Sequence, residues 1–152
     1  MPKTIHKDSM IIVGEQGSGF ETGAIWQKFT DLYDKYGMNE QISENEIYKV
    51  KILYGRKFDV HIGRLSTSMV QTPLYKILTI PPFEYVVFEC KLSDYNNHMQ
   101  MVNEWLENNP LYEQGLLNNN KFIIEYYGPR FNEDDFDESI IEIYLPIVKK
   151  QD

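Results

Sequence analysis

EYYGPRF, Glu125 to Phe131, restates ILYGRKF, Ile52 to Phe58, 73 residues later: Tyr, Gly, a basic residue and Phe all coincide. The preceding residues are rich in β-branched and aromatic types in both places, so each motif reads as a strand running into a turn. Upstream, Ile11 to Val13 matches Val86 to Phe88 at an offset of 75. Between each pair of matches lies a stretch with helical spacing. In the first, Ile25, Phe29, Leu32, Tyr33 and Tyr36 recur at three- and four-residue intervals, with Trp26 alongside and Gly37 as the stop. In the second, Tyr95, His98, Met99, Val102, Trp105 and Leu106 form the stripe, with Ser93 or Asp94 as the expected cap and Pro110 and Gly115 as breakers.

The same order of strand, helix, strand, strand at nearly the same offset predicts an internal duplication. The expected fold is α+β: two βαββ units related by a pseudo-twofold axis, a mostly antiparallel curved sheet, two helices and a central groove. The chain, residues 1–152, is read as a single domain with halves at about 8–65 and 83–148. Residues 66–82 hold three prolines and no clear period, so they are expected to be a crossover with at most one short edge strand. GEQGSGFETG, Gly14 to Gly23, is read as a loop that ends a short first strand. It lacks the Lys-Ser/Thr of a phosphate loop, and its carboxylates repel phosphate.

Glu125 interrupts the apolar run KFIIEYYG, Lys121 to Gly128. The 73-residue register places it at Ile52, on the apolar side formed by Val50, Ile52 and Tyr54, and so predicts burial with a raised carboxyl pKa. A receptor site for a cationic, apolar ligand is one reading, with aromatic walls from Tyr48, Tyr54, Tyr85, Trp105 and Tyr127. The alternatives are pairing with Arg56, Arg64 or Arg130, or a solvent-facing position on an edge strand.

The formal charge of -8 opposes nucleic acid and anionic lipid and favours small cations, so neither nucleic acid nor membrane is an expected partner. One cysteine, Cys90, and the absence of an apolar leader or membrane-length run point to a cytoplasmic protein. His6, His61 and His98 show no ligand spacing, so no metal and no cofactor are expected. His61 is read as facing either the junction or solvent, with its alternation with Asp59 pointing to solvent; His98 sits on the helix stripe.

EYVVFEC, NEWLENNPLYEQG, FIIEYYGPRF and IEIYLPIVKK together resemble the second half of the GyrI-like, or AraC effector-binding, domain family. Trp105 with Leu106, Glu125 with Tyr126 or Tyr127, and Glu142 with Pro146 carry the likeness, and IIVG, the Trp26 helix and FDVHIG extend it more loosely over the first half. KLSDYNN, Lys91 to Asn97, departs from the Gly-containing turn of many members. The resemblance implies two βαββ units around a cavity in which Glu125 engages cationic aromatic compounds, as in multidrug-sensing members related to transcription regulation. It implies a standalone form with no DNA-binding domain. Two other roles follow from the family: hydrolysis of cyclopropane-bearing toxins through the same Glu, which makes an enzyme the less favoured reading, and a protein partner as for the gyrase-inhibiting member, at an apolar edge near Ser66 to Pro82.

Overall fold

Residues 2–151 are described by a computed structural model of the chain. The strands are β1 (Lys3–Lys7), β2 (Met10–Ser18), β3 (Ile47–Tyr54), β4 (Lys57–Ser66), β5 (Lys76–Ile80), β6 (Phe83–Lys91), β7 (Tyr112–Gln114), β8 (Leu116–Leu117), β9 (Asn120–Tyr127) and β10 (Ile140–Lys149). Helix α1 (Thr22–Tyr36) follows β2, and α2 (His98–Asn108) follows β6. All strand pairs are antiparallel, in the order β1-β6-β10-β9-β3-β4-β2-β5, with β7 on β10 and β8 on β9. The six strands β6-β10-β9-β3-β4-β2 read the same from either end of the sheet. Each βαββ unit puts its first strand outermost and its second at the centre, where β9 meets β3. The expected α+β architecture, a curved antiparallel sheet with two helices, is the one observed, and the sheet is unclosed.

Because side chains alternate and directly opposed residues share a face, the register assigns each residue to one of two cores. Tyr48, Val50, Ile52, Phe122, Ile124, Tyr85 and Tyr144 form one, together with Met10, Ile12 and Ile80 from the far end of the strand order. The members come from strands at both ends of the sheet, and curling of the sheet brings them into one cluster. The helix-bearing face holds Val86, Ile123, Tyr127, Ile143 and Val102 in one half and Val13, Ile25, Phe29 and Ile62 in the other. Trp26 touches both halves of it.

Helix α1 buries Ile25 and Phe29, and Gly37 closes it at φ 64°, its N–H donating to the Tyr33 carbonyl. The second helix starts later than its expected cap. Leu92–Asn97 is a 3₁₀ turn that kinks at Asp94, and α2 begins at His98. β5 lies at the edge of the sheet, as the crossover reading allowed, and Met69, Val70 and Leu74 are exposed before it. Among the described residues no helix is long and apolar enough to cross a membrane.

Two local expectations are corrected. β2 does not end at Gly14 but runs on to Ser18, because Gly14 lies opposite Gly63 of β4 and a β-carbon there would come within 1.8 Å of the Ile62 carbonyl oxygen. The glycine serves a close backbone approach and not a turn. His61 does not face solvent: it is completely buried on β4, an inner strand between β3 and β2 whose faces are both covered. Its Nε2–H donates to the Ile12 carbonyl at 2.8 Å.

Burial lowers the His61 pKa to about 4. The unfolded chain takes up a proton below 6.5 that the folded chain refuses until about 4, so stability falls as pH drops through that window. A drop from 6.5 to about 4 is worth on the order of 3 kcal/mol for a group this buried. Urea unfolding at pH 7 and pH 4.5 is expected to show a loss that His61→Gln reduces. An acid limb of unchanged slope in the variant would rule out His61 as its source.

Candidate functional site

The central strands β9 and β3 pair Glu125 directly with Lys49. Lys51, two residues along, falls on the same face, so two ammonium groups and one carboxylate are placed side by side under the second half of the helix layer. Lys49 Nζ lies 3.3 Å from Glu125 Oε1 and Lys51 Nζ 3.7 Å from Oε2. Two phenols complete the shell: Tyr127 donates to Oε1 at 2.8 Å, and Tyr95, carried in by the 3₁₀ turn, donates to Oε2 at 2.7 Å. Glu125 is 0% exposed, and each of these four groups presents a donor to its carboxylate.

Burial by itself pushes the Glu125 carboxyl up, but the Lys49 and Lys51 ammoniums, with the two phenols, outweigh it and hold the carboxyl below its ordinary value. The raised pKa expected from sequence is thereby corrected. Burial lowers the Lys51 ammonium, with Glu125 opposing and Lys49 adding to the shift. His98 is lowered too, chiefly by burial. Its Nδ1–H donates to the Tyr95 carbonyl, which leaves Nε2 as a bare acceptor 3.4 Å from Lys51 Nζ. The Tyr95 and Tyr127 hydroxyls are both raised, by burial first and by Glu125 second, so both stay protonated as donors.

A cleft of about 520 Å³ opens over this cluster, lined by Lys49, Leu92, Tyr95, Asn96, Tyr127 and Phe136. Its size is that of small-molecule sites in general. The Tyr127 ring is clamped edge-on by Trp26 and Phe131, with ring centroids 5.0 Å away in each case. Three of the side chains that meet the Glu125 carboxylate, Lys49, Tyr95 and Tyr127, therefore also line the cleft.

Of the residues proposed from sequence, Glu125 and Tyr127 are brought together. Trp105 lies on the same face but packs against Tyr112, with ring centroids 5.9 Å apart, and does not line the cleft. Tyr48 and Tyr85 lie on the opposite face, beside Tyr126 and Tyr144 respectively, and Tyr54 is exposed at the β3–β4 turn. The cause is the register. β3 and β9 pair Val50 with Ile124, even numbers with even, so an equivalence that keeps faces needs an even offset between these strands. The 73-residue match aligns the Tyr-Gly turns and slips the strands by one, which put Glu125 with Val50 and Ile52 instead of with Lys49 and Lys51.

None of the three arginines proposed as partners pairs with Glu125. Arg130 bridges Glu89 and Glu142, Arg64 donates to the carbonyls of Glu44 and Glu46, and Arg56 is exposed. The sequence reading did not assign Lys49, Lys51, Tyr95 or His98 to the site. The available signal was the pair of lysines two apart in a strand otherwise apolar, because two ammoniums on one face of an inner strand require a buried anion.

No protein-family model matches the sequence, and no curated protein matches it. Solved structures do match. SAV2435 bound to tetraphenylphosphonium aligns over 97% of this chain and 94% of its own, with a TM-score of 0.74 at 14% identity. The EcmrR C-terminal domain aligns over 99% of this chain and 98% of its own, with a TM-score of 0.67 at 17% identity. In a cryo-EM structure of an EcmrR–DNA complex the match covers 99% of this chain and 58% of that one, with a TM-score of 0.72 at 14% identity. At these identities what the chain shares with them is the fold, a curved antiparallel sheet carrying two helices.

Proposed function

We propose that the protein binds bulky, largely aromatic small molecules, lipophilic cations among them, in the cleft over Glu125, with that carboxylate as counter-ion. The observation that carries this reading is a fully buried, ionised carboxylate whose hydrogen-bond donors Tyr95 and Tyr127 are themselves walls of the cleft. The fold is shared with SAV2435, which is seen with tetraphenylphosphonium, a bulky hydrophobic cation. Hydrolysis through the same Glu is a weaker fit. A carboxylate that already meets two ammoniums and two phenols, with its pKa held low, is a poor base for activating water.

Titration with tetraphenylphosphonium, followed through the fluorescence of Trp26 beside Tyr127, is expected to give micromolar-range binding. Glu125→Gln keeps an acceptor for the phenols but removes the charge, and is expected to weaken the cation by about tenfold or more. The neutral analogue triphenylphosphine oxide, which binds by shape alone, checks that the variant's cleft is intact. The pH trend has a definite sign. Glu125 stays ionised from neutral pH upward, while Lys51 loses its proton before the ordinary lysine value of 10.5. Cation affinity is therefore expected to rise with pH in that range, and affinity for the neutral analogue to stay flat. Equal cation affinity in wild type and Glu125→Gln, with the cleft intact, removes Glu125 from the mechanism.

A further inference from the structure

Two ammonium groups face one carboxylate in this cluster, and they are not equivalent. Lys51, 10% exposed like Lys49, is the one held away from the cleft. Its Nζ sits against His98 Nε2 at 3.4 Å and over the Phe58 ring at 5.0 Å, and its side chain is not part of the cleft wall. Lys49 is at the cleft. Its Nζ lies 3.3 Å from Glu125 Oε1, 3.3 Å from the Tyr95 hydroxyl and 5.6 Å from the Tyr95 ring centroid. An ammonium held against a buried carboxylate and a tyrosine hydroxyl occupies the place that the charge of a lipophilic cation would seek.

Resting on the reading of this cleft as a small-molecule site, we propose that Lys49 is its specificity-determining residue: the Lys49 ammonium is a resident cation, and a cationic ligand binds by displacing it toward solvent. The charges support an exchange over an addition. Glu125, Lys49 and Lys51, with His98 neutral, already sum to one surplus positive charge, so a further cation entering beside them meets repulsion. Withdrawal of Lys49 on its flexible four-carbon stem leaves the total unchanged, and Lys51 stays in place. A neutral aromatic ligand needs no exchange. The intact cleft therefore discriminates against cations relative to neutral molecules of the same shape, and the lysine sets how strongly.

Tetraphenylphosphonium and triphenylphosphine oxide, titrated into wild type, Lys49→Met and Lys49→Gln, test this. Methionine keeps the stem's apolar bulk and glutamine keeps a polar end, so the two variants separate loss of charge from altered packing. Both are expected to bind the phosphonium about tenfold more tightly than wild type, with the neutral ligand changed by less than about twofold. The unmodified protein offers a second readout. Acetylation of Lys49 by an amine-reactive ester, measured by mass spectrometry against Lys28 as reference, is expected to speed up by about fivefold when phosphonium saturates the cleft, and not with the phosphine oxide. Phosphonium binding that neither variant strengthens, or that leaves Lys49 protected, overturns the resident-cation proposal while the binding function stands. Absence of phosphonium binding in wild type and in both variants overturns the cation-binding function and this proposal together.

Discussion

Glu125→Ala is expected to lower the free energy of unfolding by about 3–5 kcal/mol at neutral pH, because it leaves buried cations without their partner. Lys49 and Lys51 side chains are each 10% exposed, and Glu125 is their shared anion. Its removal also strips the acceptor from the Tyr95 and Tyr127 hydroxyls. A loss of this size is a large part of the stability of an ordinary domain. The deficit has a pH signature: burial already lowers the Lys51 ammonium and Glu125 opposes that shift, so with the carboxylate gone Lys51 discharges more readily and the gap from wild type narrows as pH rises toward 10. Replacing the whole set, Glu125→Leu with Lys49→Met and Lys51→Met, is expected to recover most of the loss, since a packed apolar cluster needs no counter-ion. Urea unfolding of the three proteins at pH 7 and pH 9.5 measures all of this. A single-variant loss below about 1 kcal/mol would mean that water reaches the lysines and that the cluster is not a closed charge network.

Gly14→Ala carries the other large effect. The new β-carbon would stand 1.8 Å from the Ile62 carbonyl oxygen and 2.6 Å from the Gly63 α-carbon, and both are backbone atoms of the adjoining strand. No rotamer change relieves such a contact; β2 and β4 must separate, at a cost of about 3 kcal/mol or more. Gly23, in the first turn of α1, is the contrast. A β-carbon added there would meet nothing within 4 Å, so Gly23→Ala is expected to be neutral or to gain up to about 1 kcal/mol from helix propensity. Thermal or urea unfolding of the two variants side by side decides the matter. Equal stabilities would mean that the Gly14–Gly63 approach is not a constraint of the fold.

Much of the architecture was legible in the residues. Val50, Ile52, Phe58, Val60 and Ile62 alternate because β3 and β4 are strands, and Ile25 and Phe29 repeat at helical spacing because one face of α1 meets the sheet. The repeated order of these elements matches the strand order that reads alike from both ends. Other features were misread because local pattern and tertiary cover differ. Polar alternation at His61 looked like a solvent face, but the curl of the sheet covers that face. Gly14 looked like the start of a loop, but the partner strand brings its own glycine to the same point.

For the site, the amino-acid sequence by itself determined that a carboxylate interrupts an apolar strand, since Glu125 stands among Phe122, Ile123, Ile124 and Tyr127, and it left burial and a solvent-facing edge position both open. Only the tertiary structure decided which core it enters and which cations it meets. Between strands β3 and β9 no turn sets the register, and a shift of one residue exchanges the faces, placing Glu125 either with Val50 and Ile52 or with Lys49 and Lys51. Packing over the whole sheet resolves that choice, because the lysines and the glutamate are costly to bury apart and tolerable only together.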